Sequence, residues 1–564
     1  MSKKRLRFQL AMIKSSKLDI HNPRYPLVYK AWNKVFAPDK RHFEDTIQLI
    51  LDRFHKLPDF EKEMLLNMNY YCQTPLNSAS MKTFLSCDLK DNSVFNALVT
   101  GGRCNNEMPY EFQAERTADI DLASCYGSCL NNFDYPIGKP TIYVKPPNPN
   151  ITSLSLKEFL EKYESQLVPN LYKITVSGKL SFEQDLIYSK LVSETSLRNT
   201  LNKHQKTFED IFDDNAHLAS DMVLLRREII HGVITSDVLE ILRKVSSSVE
   251  YNELMNLQVI TAAWWPKEQE CSVDEWIEEN LLHSKHIDYD DEEKCLKDNR
   301  TRKWVKMPFQ KFLQSLLDQR KKLKQELKNA SDEETKNKLN AQQNSLKLMI
   351  NTLYSVICSI YFSVGNTVVA DNITARARCE VWKMAKALQL RQTITDGGFY
   401  QPEKVLQIKN KQQRKPSFNI FSDPCSLVKH RNIKIVSLGE KPWKEMFQHN
   451  PSLLVQQNID ELAKQHIDEF WAAYDFKLKM NIEHKLENFS LKTAYLNKAN
   501  YRFMTFEKEK GWAGRKTAVR GVERDVSVEK NPYIELLENI LLNDPKNVYL
   551  PKKLDYLQTS FLIS

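Results

Sequence analysis

The chain has 564 residues, 41% hydrophobic and 27% charged, with a formal net charge of +9. That length buries a sizeable core in roughly three or four units, and the mild basicity suits a nucleic-acid partner without requiring one. No apolar run approaches the roughly 18 residues that cross a bilayer, so no membrane partner is expected. The ten cysteines form no CxxC pair and no Cys/His quartet with zinc spacing, and read as buried or free thiols in a reducing compartment. The basic start, MSKKRLRFQLAMIKSS, is too weak for a signal peptide and leaves an organelle-targeting role open.

Residues 1–98 are predicted to be mostly helical, as in HFEDTIQLILDRFHKL, where apolar positions recur at helical spacing. Within them Asp59 and Glu61 follow Pro58 and read as a helix start. From 99 to 145 the chain turns to short strand-like pieces punctuated by Gly and Pro. Residues 146–300 mix strand-like segments (LYKITVSGKL, HGVITSDVL, LQVITAAWW) with acidic linkers. A helical hairpin is predicted over 308–358, broken by ASDEET, where Ser331 and Glu334 make a capping box that starts the second helix. A further helix over 372–390 leads into TITDGGFY (393–400), in which Asp396-Gly397 between β-formers is a hairpin signal. KNKQQRKPSF (409–418) reads as a basic loop, and 441–564 as mixed, mainly helical, and rich in Lys and aromatics.

A set of chemistry-bearing residues runs through these elements. Asp121 closes a probable strand in DIDLASCYGS, followed by Tyr126 and Ser128; period two puts Asp119 on the same face as Asp121. On the second hairpin helix, Lys347, Asn351 and Tyr354 stand at i, i+4 and i+7, one stripe, with Leu346, Ile350 and Leu353 on a neighbouring packing face. A cation, an amide and a phenol in that row suit a phosphate at one end and a sugar or base at the other. Arg320 and Lys321, on the partner helix, are placed to reach the same ligand. Singly each is ordinary: helix lysines are usually solvated, strand-end aspartates are usually caps, and Asp396 alone reads as a turn residue.

As an ordered set they resemble the family B DNA polymerases, particularly the protein-primed and plasmid- or organelle-type members. DLASCYGS resembles the first palm motif, D-x-x-S-L-Y-P-S, with Gly127 in place of the proline. KLMINTLYS resembles the fingers motif, K-x-x-x-N-S-x-Y-G, and TITDGGF falls where the second palm motif, Y-G-D-T-D-S, is expected. GGRCNNE resembles a template-contacting loop of the protein-primed branch. KANYRF resembles the primer-holding K-K-R-Y motif, and TAVRGVE the Lys/Arg-Gly-Val/Leu-Glu that follows it. Aligning the hairpin sets Asp396 on the motif's second acid and Ile394 on its first; the resemblance implies that the second is the essential ligand.

The resemblance implies an α+β right-hand polymerase with a palm sheet, two-helix fingers and a mainly helical thumb. Its parts would be an N-terminal mostly helical region (1–98), palm (99–145), a palm insertion with a priming-related role (146–300), fingers (301–360), second palm part (361–440) and thumb with C-terminal region (441–564). The implied activity is DNA-directed, template-dependent nucleotidyl transfer from dNTPs to a 3′-hydroxyl by a two-metal mechanism. Two Mg²⁺ ions, or Mn²⁺, would sit on Asp121, Asp396 and the Leu122 carbonyl. Ser124, Cys125 and Tyr126 would meet the dNTP, Tyr126 beneath the sugar; Arg320 and Lys347 would grip the triphosphate, and Asn351 and Tyr354 line the nascent pair. Gly101, Gly102, Arg103, Lys498, Tyr501 and Arg520 would contact DNA. Expected partners are template-primer DNA, dNTPs and, by analogy, a priming protein, in a cytoplasmic, nucleoid-associated or organelle setting. Asp59-x-Glu61 lies too close to Asp121 for an exonuclease fold, so the reading is a shortened polymerase or the C-terminal piece of a longer one. The competing reading is a degenerate polymerase-like protein that binds nucleic acid without synthesis.

Overall fold

The computed structural model describes residues 6, 7, 10, 26–36, 47–66, 99–107, 113–138, 140–146, 153–188, 217–219, 222–224, 227–278, 287–290, 295–298, 303–358, 365–403, 453–476, 484–495, 501–507, 511–518 and 532–543. Three helices come first, α1 (Pro26–Phe36), α2 (Ile47–His55) and α3 (Asp59–Leu66), where helix was predicted. The Gly-punctuated stretch gives β1 (Arg103–Asn106), β2 (Gln113–Leu122), the short α4 (Cys125–Asn131), β3 (Asp134–Ile137) and β4 (Thr141–Val144). Next stand α5 (Leu156–Tyr163), β5 (Tyr172–Lys179), β6 (His217–Ala219), β7 (Met222–Leu224) and β8 (Glu228–Ile234). They are followed by α6 (Ser236–Val245), α7 (Ser248–Met255), β9 (Gln258–Trp264) and α8 (Val273–Ile277). β10 (Ile287–Asp290), β11 (Cys295–Asp298) and β12 (Val305–Pro308) lead to the long pair α9 (Gln310–Asn329) and α10 (Glu333–Cys358). After these come α11 (Thr367–Leu388), β13 (Gln392–Thr395), β14 (Gly397–Tyr400) and α12 (Leu453–Trp471). The last described elements are β15 (His484–Tyr495), β16 (Tyr501–Glu507), β17 (Gly511–Ala518) and α13 (Pro532–Leu542).

Nine strands form one sheet in the order β17-β16-β15-β2-β14-β13-β1-β6-β7, so segments nearly 400 positions apart in sequence lie side by side. The C-terminal region, expected to be mixed and mainly helical, carries the helices α12 and α13 together with three strands: β15 runs antiparallel along β2, and β16 and β17 extend the same sheet. The physical reason is the partner strand. Paired with β2, this Lys- and Glu-rich stretch gains a backbone ladder and cross-strand contacts such as Thr117 Oγ1 to Thr493 Oγ1, 2.6 Å, and tertiary pairing outweighs intrinsic helix preference. A second sheet, β4-β9-β5-β8, takes β5, β8 and β9 from the three segments predicted as strand-like within 146–300 and β4 from the stretch before them. The α9–α10 break falls where predicted, but the cap is Asp332 rather than Ser331: its carboxylate accepts from Thr335 N at 2.7 Å.

Helix α11 lies between the two sheets and is buried on nearly every side, touching β1, β5, β13, α4, α6, α10 and α12. Asn366 caps it through Val368 N and Val369 N. A helix buried all round is ordinarily apolar, yet this one carries ionisable residues, each with a named partner. Asp371 pairs with Lys173 on β5, and Arg376 with Asp237 on α6 at 2.7 and 2.9 Å. Lys386 Nζ donates to Asp185 Oδ2 at 2.7 Å, and Trp382 Nε1 to Asp185 Oδ1 at 2.7 Å. Arg103 completes that group: Nη2 reaches Asp185 Oδ2 at 2.9 Å, and Nε and Nη2 grip Glu107 at 2.7 and 2.8 Å. Glu107 in turn accepts from Thr393 Oγ1 at 3.0 Å, so the network ends on β13. Removing one partner of such buried ions is costly. Asp185→Ala is expected to destabilise the protein by about 3–5 kcal/mol, read as a lowered urea midpoint with the slope unchanged.

Helix α12 docks on α11 through His466, whose Nε2 meets the Ala387 carbonyl at 2.8 Å, and through Trp471 Nε1 on the Lys383 carbonyl at 3.0 Å. Burial holds the His466 imidazole neutral and its pKa below the ordinary value. A histidine that binds protons more weakly when folded contributes stability above its unfolded pKa, about 6.5. That contribution fades as pH falls through and below this value. Stability measured between pH 7 and 5 is expected to drop in the wild type and to drop less steeply in His466→Gln.

Candidate active site

The second palm-like motif forms a tight hairpin. Ile394 pairs with Gly397, leaving Thr395 and Asp396 as the two-residue reversal. Asp396 thus stands at the tip, as predicted, but the turn sits one residue earlier than the Asp-Gly signal implies. Thr395, not Gly397, takes the left-handed backbone, with φ 61°, a conformation costly for a β-branched residue. Gly397 is a strand residue directly opposite Asp121. Its glycine identity serves close approach: a Cβ there would fall 1.7 Å from Asp121 Oδ1 and 2.4 Å from the Ile120 carbonyl.

That register brings the two acids to neighbouring backbone positions. Leu122 N donates to the Asp396 carbonyl at 2.8 Å, one residue from Asp121 on one strand and at the acid itself on the other. Asp119 and Asp121 are half-buried, while Ile120 and Leu122 are buried, the predicted period two. Asn488 on β15 donates to Asp119 Oδ2 at 3.4 Å.

After β2 the chain turns through Ser124 in a left-handed conformation, φ 53°, into α4. Cys125 is buried, and Tyr126 stacks on Tyr354 of α10 with centroids 4.7 Å apart and planes 3° from parallel. Burial, together with neighbours that include the Asp396 carboxylate, pushes the Tyr126 phenol well above its ordinary pKa, so it stays protonated. Gly127 is a helical residue on which α10 rests: a Cβ would come 2.7 Å from Ile350 Cγ2. The proline expected by resemblance would have to displace that helix. Lys347 and Asn351 are exposed on the stripe that ends in the half-buried Tyr354, and Ile350 packs inward as predicted.

Arg320 of α9 reaches across to Ser124, donating from Nη1 to Oγ. It is 8% exposed, its Nε has no hydrogen-bond partner among the described residues, and burial lowers its pKa. It borders a cleft of about 410 Å³ between α4 and α9, lined also by Ser124, Ser128, Gln314, Lys321 and Lys324. A desolvated cation at the mouth of a cleft rimmed by lysines suits an anionic ligand.

The GGR segment divides. Gly101 is exposed, and Gly102 sits against the hairpin tip and Tyr126, a Cβ there meeting Thr395 Cγ2 at 2.9 Å and Tyr126 Oη at 3.0 Å. Arg103 is a correction to the DNA-contact expectation: it is fully buried, and its guanidinium is engaged by Glu107 and Asp185. Tyr501 opens β16 opposite Tyr495, its ring stacked on Phe503 at 5.2 Å and 6.4 Å from Phe399. Lys498, Arg520 and the 409–418 loop lie outside the described residues.

Residues that carry the site without a sequence motif are Asp371 and Arg378 of α11. Asp371 Oδ1 accepts from Thr100 N at 2.8 Å, and Arg378 Nη1 donates to the Thr100 and Gly101 carbonyls, each at 2.6 Å. Their spacing of seven puts them on one helix face, the only trace the sequence offers. Among the described residues no cluster of three or more His, Cys, Asp or Glu side chains is placed to hold a metal. The pair Asp121 and Asp396, with Gly397 making room for the Asp121 carboxylate beside the hairpin, nevertheless fits Mg²⁺ in donor chemistry, since that ion is commonly held by one or two carboxylates with waters and substrate phosphates.

A model described as DNA polymerase family B matches residues 271–420, from before the α9–α10 pair to beyond the hairpin. The "Uncharacterized mitochondrial protein ymf29" of Marchantia polymorpha is 41% identical over 145 residues, which is 26% of this chain and 70% of that protein. Two solved structures of Phi29 DNA polymerase, one complexed with primer-template DNA, align at 12% identity with TM-scores of 0.35 and 0.33. The alignments cover 90% and 87% of this chain and 73% and 68% of those chains; at such TM-scores the likeness carries no argument. The fingers and hairpin motifs lie inside that matched segment, and the chain belongs to DNA polymerase family B.

Proposed function

We propose that the protein is a DNA-directed DNA polymerase that transfers nucleotides from dNTPs to a primer 3′-hydroxyl. The observation that carries this reading is the β2–β14 register, which seats Gly397 opposite Asp121 and Asp396 beside Leu122. In this reading β2, β14, β13 and β1 of the nine-stranded sheet are the palm, α9 and α10 are the fingers, and β15 to β17, which extend that sheet, belong with α12 and α13 to the thumb side.

Asp121, Asp396 and the Leu122 carbonyl would hold two divalent ions, which when bound neutralise charge on the attacking and leaving oxygens. The protein's own part is positioning. Arg320, already oriented on Ser124, and Lys347, on the exposed stripe of α10, attract the triphosphate; Lys321 and Lys324 extend the same positive field. The start of α4, at Ser124, Cys125 and Tyr126, faces that triphosphate with backbone N–H groups. Tyr126, held flat on Tyr354, lies beneath the sugar and crowds a 2′-hydroxyl. Asn351 and Tyr354 line the nascent pair, while Gly101, Gly102 and Tyr501 contact DNA, with Lys498 and Arg520 assigned the same role by motif. The mitochondrial relative supports an organelle setting, and the motif resemblance supports the protein-primed branch and a priming protein as partner.

A second reading, nucleic-acid binding without synthesis, is favoured by Ile394 standing where the family places an acid. Primer extension separates the two. Asp121→Asn and Asp396→Asn are each expected to lower extension by at least about 10²–10³-fold, with primer-template binding by fluorescence anisotropy unchanged. A wild-type protein that binds DNA in a steeply salt-dependent way but extends no primer with Mg²⁺ or Mn²⁺ establishes the second reading instead.

A further inference from the structure

The Thr100–Gly102 loop is held far more firmly than a surface template contact requires. Asp371 takes the Thr100 N–H while Arg378 takes the carbonyls of Thr100 and Gly101, so one face of the buried helix α11 fixes both polar edges of the loop. Arg378 is itself 3% exposed and lies over the Tyr188 ring, 5.5 Å from its centroid. The loop so held leaves Gly102 no room for a side chain: a Cβ there would meet the Tyr126 hydroxyl at 3.0 Å and the Thr395 side chain at the hairpin tip at 2.9 Å. Tyr126 is thereby confined on two sides: its face by Tyr354, its hydroxyl end by Gly102.

We infer that Gly102 is a specificity-determining residue, a backstop that sets how far the Tyr126 hydroxyl reaches toward the nucleotide sugar, and that Arg378 is the positioning residue that holds the backstop in place. The inference rests on the polymerase reading above. The Tyr126 phenol has only a small choice of positions while its ring stays parallel to Tyr354. A residue at 102 with any side chain forces the hydroxyl away from the loop, and a loop released from α11 lets the hydroxyl retreat. Both changes alter the space under the sugar without touching a metal-holding carboxylate, so sugar selectivity moves separately from the chemical step.

The test is single-nucleotide extension of a DNA primer by the full chain, with KM and kcat measured for a dNTP and its ribonucleotide counterpart. Arg378→Gln is expected to lower the ratio of kcat/KM values, dNTP over rNTP, by about tenfold, the scale of one misplaced polar contact in a pocket, and Arg378→Lys to restore part of it. Gly102→Ala is expected to raise KM for the dNTP several-fold with kcat little changed. That increase is expected to shrink in a Tyr126→Phe background, where the added methyl meets Thr395 but no hydroxyl. Unchanged ratios in Arg378→Gln and Gly102→Ala, or an equal Gly102→Ala effect with and without the Tyr126 hydroxyl, overturn the inference while leaving polymerase activity standing. Loss of folding in Arg378→Gln leaves the Gly102 and Tyr126 cycle as the deciding measurement. A wild type that extends no primer overturns the polymerase reading itself, and this inference with it.

Discussion

The pairing of β2 with β14 is the constraint on which the site depends. With Gly397 opposite Asp121, the acid at the hairpin tip and the acid at the strand end are brought together by backbone hydrogen bonds rather than by side-chain contact. A slip of one residue would send every side chain of β14 to the other face of the sheet. In one direction it would also place Asp396, which bears a Cβ, against the Asp121 carboxylate, where there is room only for glycine. Carboxylates repel one another, and ordered ladders on both sides of β2, to β14 and to β15, supply the rigidity that keeps such a pair in place.

The register is in turn maintained by ions buried around α11. Asp185, Arg103 and Glu107 form a chain from that helix to Thr393 on β13, and Asp371 with Lys173 ties the helix to the second sheet. Buried ion pairs are a weak source of stability, because desolvation offsets much of their attraction. They are directional, however, and apolar packing is not. An apolar helix surface would let the hairpin settle at several heights; a bidentate Arg103–Glu107 grip leading to Thr393 allows few. The same logic explains why the arginine of the GGR segment turns inward while the adjoining glycines stay at the site.

The chemistry available here follows from a sparse donor set. In the proposed reading two carboxylates would not by themselves satisfy two divalent ions, so a substrate's phosphates would complete the coordination and cations would bring those phosphates in. Arg320 is suited to that part because it is buried and, among the described residues, its guanidinium donates to the Ser124 hydroxyl and pairs with no carboxylate. Lys347, exposed on α10, is suited to first capture rather than to precise placement.

Much of this was legible in the amino-acid order. The helical pair with its break, the strand-like segments of 146–300, the period-two placement of Asp119 and Asp121, and the packing of Ile350 beside the Lys347–Asn351–Tyr354 stripe all follow from local periodicity. Asp396 at a hairpin tip follows from turn chemistry, although the left-handed position fell on Thr395 because the pairing of Gly397 with Asp121 outweighed the local cost. The pairing of β15 with β2, the inward turn of Arg103 and the grip of Arg378 on the Thr100–Gly102 loop had no local signature. Each depends on a partner at least about eighty positions away in the chain, and a strand, an ion pair or a clamp gains its free energy only once that partner is present. Periodicity and turn preference are energies a segment carries by itself; register, burial of charge and the height of Tyr126 are energies that exist only between segments, and these the tertiary structure alone decided.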